Sequence, residues 1–137
     1  MKHAVKEGCV RVEEKMAPYT QQVTTYNHRW IADEPESMGG ADDGPAPMEM
    51  ILAGLGACTS MTLRMYANRK EWPLKKVTVD LRHVKGENGS ESLVRKVRIE
   101  GDLSTEQRAR LLEIANRCPV HRTLLNDQLD IPTELID

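Results

Sequence analysis

The chain has 137 residues, a length that suits one domain spanning 1–137, and its 19 basic and 21 acidic side chains leave a net charge of −2. That balance offers no positive field for nucleic acid and no polybasic patch for a membrane surface. With no Phe, two Trp and three Tyr, the core must be built from Leu, Ile, Val, Ala and seven Met, little apolar surface for a monomer and a reason to expect a homodimer.

The N-terminus, Met1 to Glu7, is polar and reads as lacking a secretion signal. Three cysteines, an odd count, fit a reducing cytoplasm in which a thiol pair does chemistry rather than stapling the fold. Val5 to Lys15 alternates in part and predicts a strand or hairpin arm, with Cys9 an incidental strand residue. Gln21 to Ile31, with Val23, Thr24, Thr25, Tyr26 and Trp30, predicts a second strand. Asp33 to Pro47 holds three Pro and three Gly without periodicity, and predicts a loop.

Pro47 suits the first turn of a helix, where its missing N–H would be unpaired anyway, and Glu49 favours the positive end of the helix dipole. The helix is expected to run to about Arg69, a rod of about 30 Å or more. Met50 to Leu63 contains 14 residues with no ionisable side chain except the Cys58 thiol. That run is too short to span a bilayer, so it is expected to be buried on every side. Gly54, Gly56 and Ala57 would admit the close approach of another backbone. Val77 to Val84 and Leu93 to Glu100 alternate as the arms of a hairpin. Ser104 and Gln107 have the spacing of a capping box, opening a helix that should turn Leu111, Leu112, Ile114 and Ala115 inward and end near Arg117. Pro119 predicts another helix start, and Ile131 to Ile136 a last strand. Strands, a long helix, a hairpin, a second helix and a strand make an α+β domain.

Cys58 and Cys118 are the candidate chemical groups. A helix-buried Cys taken alone reads as a small core residue. Cys118 precedes Pro119 and therefore falls at or beside a helix N-cap, where the dipole lowers a thiol pKa. His3, His28, His83 and His121 are scattered, with no Cys-x-x-Cys or His-x-x-x-His spacing, so no metal is expected. Gly39-Gly40 lacks any phosphate-loop context, and no cofactor is expected.

Ala32-Asp33-Glu34-Pro35, Gly39-Gly40, Gly44-Pro45-Ala46-Pro47, Leu55-Gly56-Ala57-Cys58-Thr59, Met65-Tyr66-Ala67, Trp72-Pro73-Leu74 and Cys118-Pro119-Val120-His121-Arg122 occur here in that order. Together they resemble the OsmC/Ohr family of osmotically inducible and organic-hydroperoxide-resistance proteins. The resemblance implies antiparallel sheets wrapped around two central helices in an intertwined homodimer. It also implies a thiol peroxidase. Cys58 would attack an organic hydroperoxide and become a sulfenic acid, Cys118 would condense with it, and an external dithiol would reduce the disulfide. In the peroxidase members a carboxylate stands ten residues before the reactive Cys; here that position is Met48, and Glu49 comes one residue late. Position −9 lies about 180° around a regular helix from Cys58, so Glu49 fits either a displaced catalytic acid or a simple helix N-terminal acid. The family pairs its acid with an arginine from an early strand or loop. Arg29 is the arginine of that region, and a solvated strand residue is its other reading. His121 and Arg122 are further cation candidates. The alternative function is a non-peroxidase, OsmC-like ligand-binding or accessory module, as in the domains fused to α/β-hydrolases.

Overall fold

The opening of the chain forms an antiparallel meander in the order β1 (Arg11–Glu14), β2 (Gln21–Thr24), β3 (Arg29–Ala32). Val23 pairs with Val12 on one side and Trp30 on the other. The computed structural model describes residues 3–136. Two units can be distinguished, one ending at Ile51 and the other starting at Leu52, and the dividing line falls inside the continuous helix α1 (Pro47–Lys70).

In the first unit the expected strand over Gln21 to Ile31 is two strands. The chain turns at Thr25 to His28, where Thr25 N–H donates to His28 O at 2.8 Å and His28 N–H donates to Thr25 Oγ1 at 3.1 Å. No Gly or Pro marks this turn; the hydroxyl of Thr25 supplies the local bond instead. The first strand is also shorter than expected. Gly8 takes a left-handed φ of 83°, so Cys9 and Val10 lie before β1 and are exposed. The loop after β3 is organised around Asp33, which is buried and accepts from Thr20 Oγ1 at 2.9 Å, Glu34 N–H at 2.8 Å and Asp43 N–H at 3.2 Å. Gly40 and Gly44 are needed there because a Cβ would run into the Glu34 and Ile31 carbonyls, respectively.

In the second unit α1 packs Leu63, Tyr66 and Ala67 into a core with Leu74, Leu111, Ile114 and Ala115. Strands β4 (Leu74–Lys85) and β5 (Glu91–Gly101) form an antiparallel hairpin, longer than expected, with Val79 opposite Val97 and Leu81 opposite Arg95. Helix α2 (Thr105–Ala115) has the capping box in full: Gln107 N–H donates to Ser104 Oγ at 3.1 Å, and Ser104 N–H to Gln107 Oε1 at 2.9 Å. Helix α3 (Pro119–Leu124) has Cys118 as its N-cap.

Three expectations are corrected here. Met61 and Met65 are 59% and 67% exposed in the single chain, so α1 is not covered on every side. Leu112 is 64% exposed, because the inward face of α2 is the Leu111, Ile114, Ala115 stripe and the next residue lies about 100° away. Ile131 to Ile136 forms no strand: the segment is exposed, contains Pro132, and has no partner ladder among the described residues. No helix among the described residues is long and apolar enough to cross a membrane.

Candidate active site: a thiol pair beside Arg95

Four elements of the second unit converge on the thiols. Helix α1 supplies Cys58 and Thr59, β5 supplies Arg95, the end of α2 supplies Ala115 O and Asn116, and the start of α3 supplies Cys118. Pro119 at the first helical position leaves the next amides of α3 free to bind outside the helix. Val120 N–H donates to Cys58 Sγ at 3.5 Å and His121 N–H to Cys118 Sγ at 3.3 Å. Successive amides of one turn point the same way, so the two sulfurs are neighbours. Cys118 is fully buried, whereas Cys58 is half-buried, and both are free thiols.

Arg95 is the cation of the site. Its Nη1 donates to Thr59 Oγ1 at 2.8 Å and to Ala115 O at 3.1 Å, and its Nη2 donates to Asn116 Oδ1 at 2.9 Å. No carboxylate pairs with it among the described residues. Thr59 is completely buried: its Oγ1 lies 2.7 Å from Leu55 O and 3.9 Å from Cys118 Sγ. The hydroxyl has one hydrogen and can donate to only one of these acceptors at a time. With Arg95 occupying a lone pair of Oγ1, that hydrogen is polarised toward whichever acceptor carries more negative charge.

Burial pushes the Cys118 thiol up. The His121 N–H, the Cys58 thiol, the Thr59 hydroxyl and the Arg95 charge outweigh burial, and Cys118 lies below the ordinary thiol value. Burial and the Arg95 charge both hold the His121 ring below the usual histidine range. His121 is therefore no cation at neutral pH; its backbone N–H, not its ring, serves the thiols. A cavity of about 300 Å³ is lined by Thr62, Met65, Tyr66, Arg69, Ile114, Arg117 and Pro119; neither cysteine lines it. Thr62 is one helical turn on from Cys58.

The OsmC-like protein family model matches residues 40–134, which include both cysteine motifs and every residue of the site. The chain belongs to the OsmC-like family. Solved structures agree on the fold. An OsmC-like protein from Mycoplasma pneumoniae is 19% identical, with 90% of this chain and 91% of that chain covered at a TM-score of 0.73. An organic hydroperoxide resistance protein OsmC from Legionella pneumophila is 18% identical over 87% of this chain and 89% of that one, at a TM-score of 0.63. The organic hydroperoxide resistance protein OhrB of Bacillus subtilis is 17% identical over 87% and 90%, at 0.60. No match was found among curated proteins.

For this OsmC-like chain the other candidate residues stand as follows. Glu49 closes the first turn of α1: its Oε1 accepts from Ala46 N–H at 2.8 Å, the work of an N-terminal acid. Arg29 is exposed on β3, and Arg122 is exposed on α3. Cys9 is exposed in the first unit. Arg95, Thr59 and Asn116 are the site residues that motif reading passed over. The available signal was Arg95 itself, a charged residue in the same alternation as Leu93, Val97 and Ile99.

Proposed function

We propose that this OsmC-like protein is a thiol-dependent peroxidase that reduces organic hydroperoxides. Cys58 Sγ attacks the terminal peroxide oxygen, the O–O bond breaks, and an alcohol leaves a sulfenic acid on Cys58. Cys118 Sγ then attacks Cys58 Sγ, hydroxide departs, and a Cys58–Cys118 disulfide forms. An external dithiol reduces it, which suits a reducing compartment such as the cytoplasm. The more accessible sulfur is Cys58, so the reductant attacks there and Cys118 leaves as a thiolate, a good leaving group because its pKa is low.

One observation supports this above the rest: two free thiols sit on successive amides of one helical turn, and Pro119, the residue after Cys118, lines a cavity. Met65 and Ile114 offer that cavity apolar surface for an alkyl tail, worth about 0.8 kcal/mol per buried methylene, which hydrogen peroxide cannot gain. Met48 in place of the family's acid, with Glu49 engaged on Ala46 N–H, favours a slower enzyme or the alternative ligand-binding module. A second copy of the chain would cover the exposed stripe of α1, and the homodimer is part of the proposal.

Single-turnover consumption of cumene hydroperoxide separates these readings. Wild type should consume one equivalent per thiol pair, Cys58→Ser none, and Met48→Glu should react faster than wild type. Equal consumption by Cys58→Ser would overturn the role of Cys58. No consumption by wild type would favour the ligand-binding module.

A further inference from the structure

Cys58 has no base of its own. Among the described residues its sulfur accepts from Val120 N–H, the Cys118 thiol is its titratable neighbour, and no carboxylate or imidazole hydrogen-bonds to it. Yet the thiolate, not the thiol, is the nucleophile. The cation of the site is not aimed at Cys58: Arg95 reaches Thr59, and Thr59 lies against Cys118. The arrangement thus stabilises charge on the sulfur that does not meet the peroxide first.

We propose that Cys118, besides closing the disulfide, is the general base that takes the proton of Cys58, and that Arg95 is the positioning residue that keeps the Cys118 sulfur charged through Thr59. This rests on the peroxidase reading above. Three charged or titratable groups face Cys118: Cys58 from α1, Arg95 from β5 and His121 on its own helix. His121 is held neutral and offers Cys118 only its backbone N–H. Arg95 is therefore the only full positive charge among these three.

The proton and electron inventory closes without any other residue. Cys118 thiolate accepts the Cys58 proton. Cys58 thiolate attacks the terminal oxygen of the hydroperoxide, the O–O bond breaks, and its electron pair leaves on the alkoxide. The Cys118 thiol returns the proton to the alkoxide, releasing the alcohol and restoring the Cys118 thiolate. That thiolate attacks the Cys58 sulfenic sulfur, the S–O bond breaks, and hydroxide departs to take a proton from solvent. Cys58 and Cys118 are oxidised together and the hydroperoxide is reduced to alcohol and water. One thiolate thus serves as base, acid and nucleophile in turn.

A residue that only resolves the sulfenic acid has no effect on the rate at which that acid forms; a general base does. The test is the rate of Cys58 sulfenic acid formation, trapped with dimedone under single-turnover cumene hydroperoxide, in wild type, Cys118→Ser, Arg95→Met, Arg95→Lys and Thr59→Val. Cys118→Ser should slow this first step about hundredfold, the low end of a general base's worth. Arg95→Met should slow it and move its pH profile upward. Arg95→Lys should recover part of the rate, since the charge returns without the forked contacts. If Arg95→Met fails to fold, Thr59→Val carries the same expectation in smaller measure, because the relay is cut while the charge remains. Sulfenic acid forming as fast in Cys118→Ser as in wild type would overturn the proposal and leave the peroxidase intact. No sulfenic acid in any of the proteins would overturn both.

Discussion

Charge on Cys118 couples the chemistry to folding. Its thiol lies below the ordinary value in the folded chain, whereas an unfolded cysteine titrates near about 8.5. Between those two values the unfolded state holds the proton that the folded state has released, so stability rises with pH. The contribution is fully present above the unfolded value and is lost as pH falls through the folded one. The urea midpoint of the reduced protein should therefore climb as pH rises toward about 8.5, and the climb should be missing in Cys118→Ser. Parallel curves for the two proteins would show that Cys118 is not a charged group in the fold. The thiol pair itself was legible in the sequence, because Ala57-Cys58-Thr59 and Cys118-Pro119 are local patterns. The cation was not. Arg95 lies 37 positions after Cys58 and 23 before Cys118 in the numbering, and only the β4–β5 hairpin and the end of α2 bring it to the site. Thr59 looked like one more residue of an uncharged run, yet its hydroxyl is what connects Arg95 to sulfur.

The elements were legible where the signal was local. Pro47 opens α1, the Ser104–Gln107 pair caps α2, and the alternation of β4 and β5 gives the hairpin. They were illegible where a partner decides: the turn at Thr25 to His28 is made by side-chain bonding, and a terminal stretch with strand character finds no ladder. Two substitutions test the local account. Ser104→Ala removes a cap that accepts from Gln107 N–H and should lower stability by about 1 kcal/mol in urea unfolding. Glu71, just past α1, adopts a left-handed φ of 58° while Trp72 N–H closes back on Ala67 O at 2.9 Å. That is the position where helices prefer glycine, so Glu71→Gly should raise stability by about 0.5–1 kcal/mol. A loss at Glu71→Gly would mean that the side chain does more than tolerate the turn. Gly56 is different, since a Cβ there would come 2.6 Å from Leu81 Cδ1; the neighbour is a side chain and not the backbone expected from sequence.

At the scale of the molecule, Gly54, Ala57, Met61 and Met65 form an exposed stripe along α1, a chain face that we propose a second copy covers. Light scattering should give twice the 15.5 kDa chain mass at low micromolar concentration. Among the described residues, nothing beyond the adjoining residues and the local helix backbone lies within 4 Å of a Cβ built at Gly54, so Gly54→Leu can be accommodated by the single chain and should act on the dimer alone, yielding monomer. A folded wild-type monomer would remove the dimer from the account. We propose that the chain is one domain, for which a single unfolding transition is expected. The most direct measurement is the intact mass and peptide map of the whole chain after one equivalent of cumene hydroperoxide. The account predicts a loss of two hydrogens per chain and a linked pair of peptides joining Cys58 to Cys118, with Cys9 still free. Two persistent thiols at 58 and 118, or a dominant Cys9 link between chains, would contradict it.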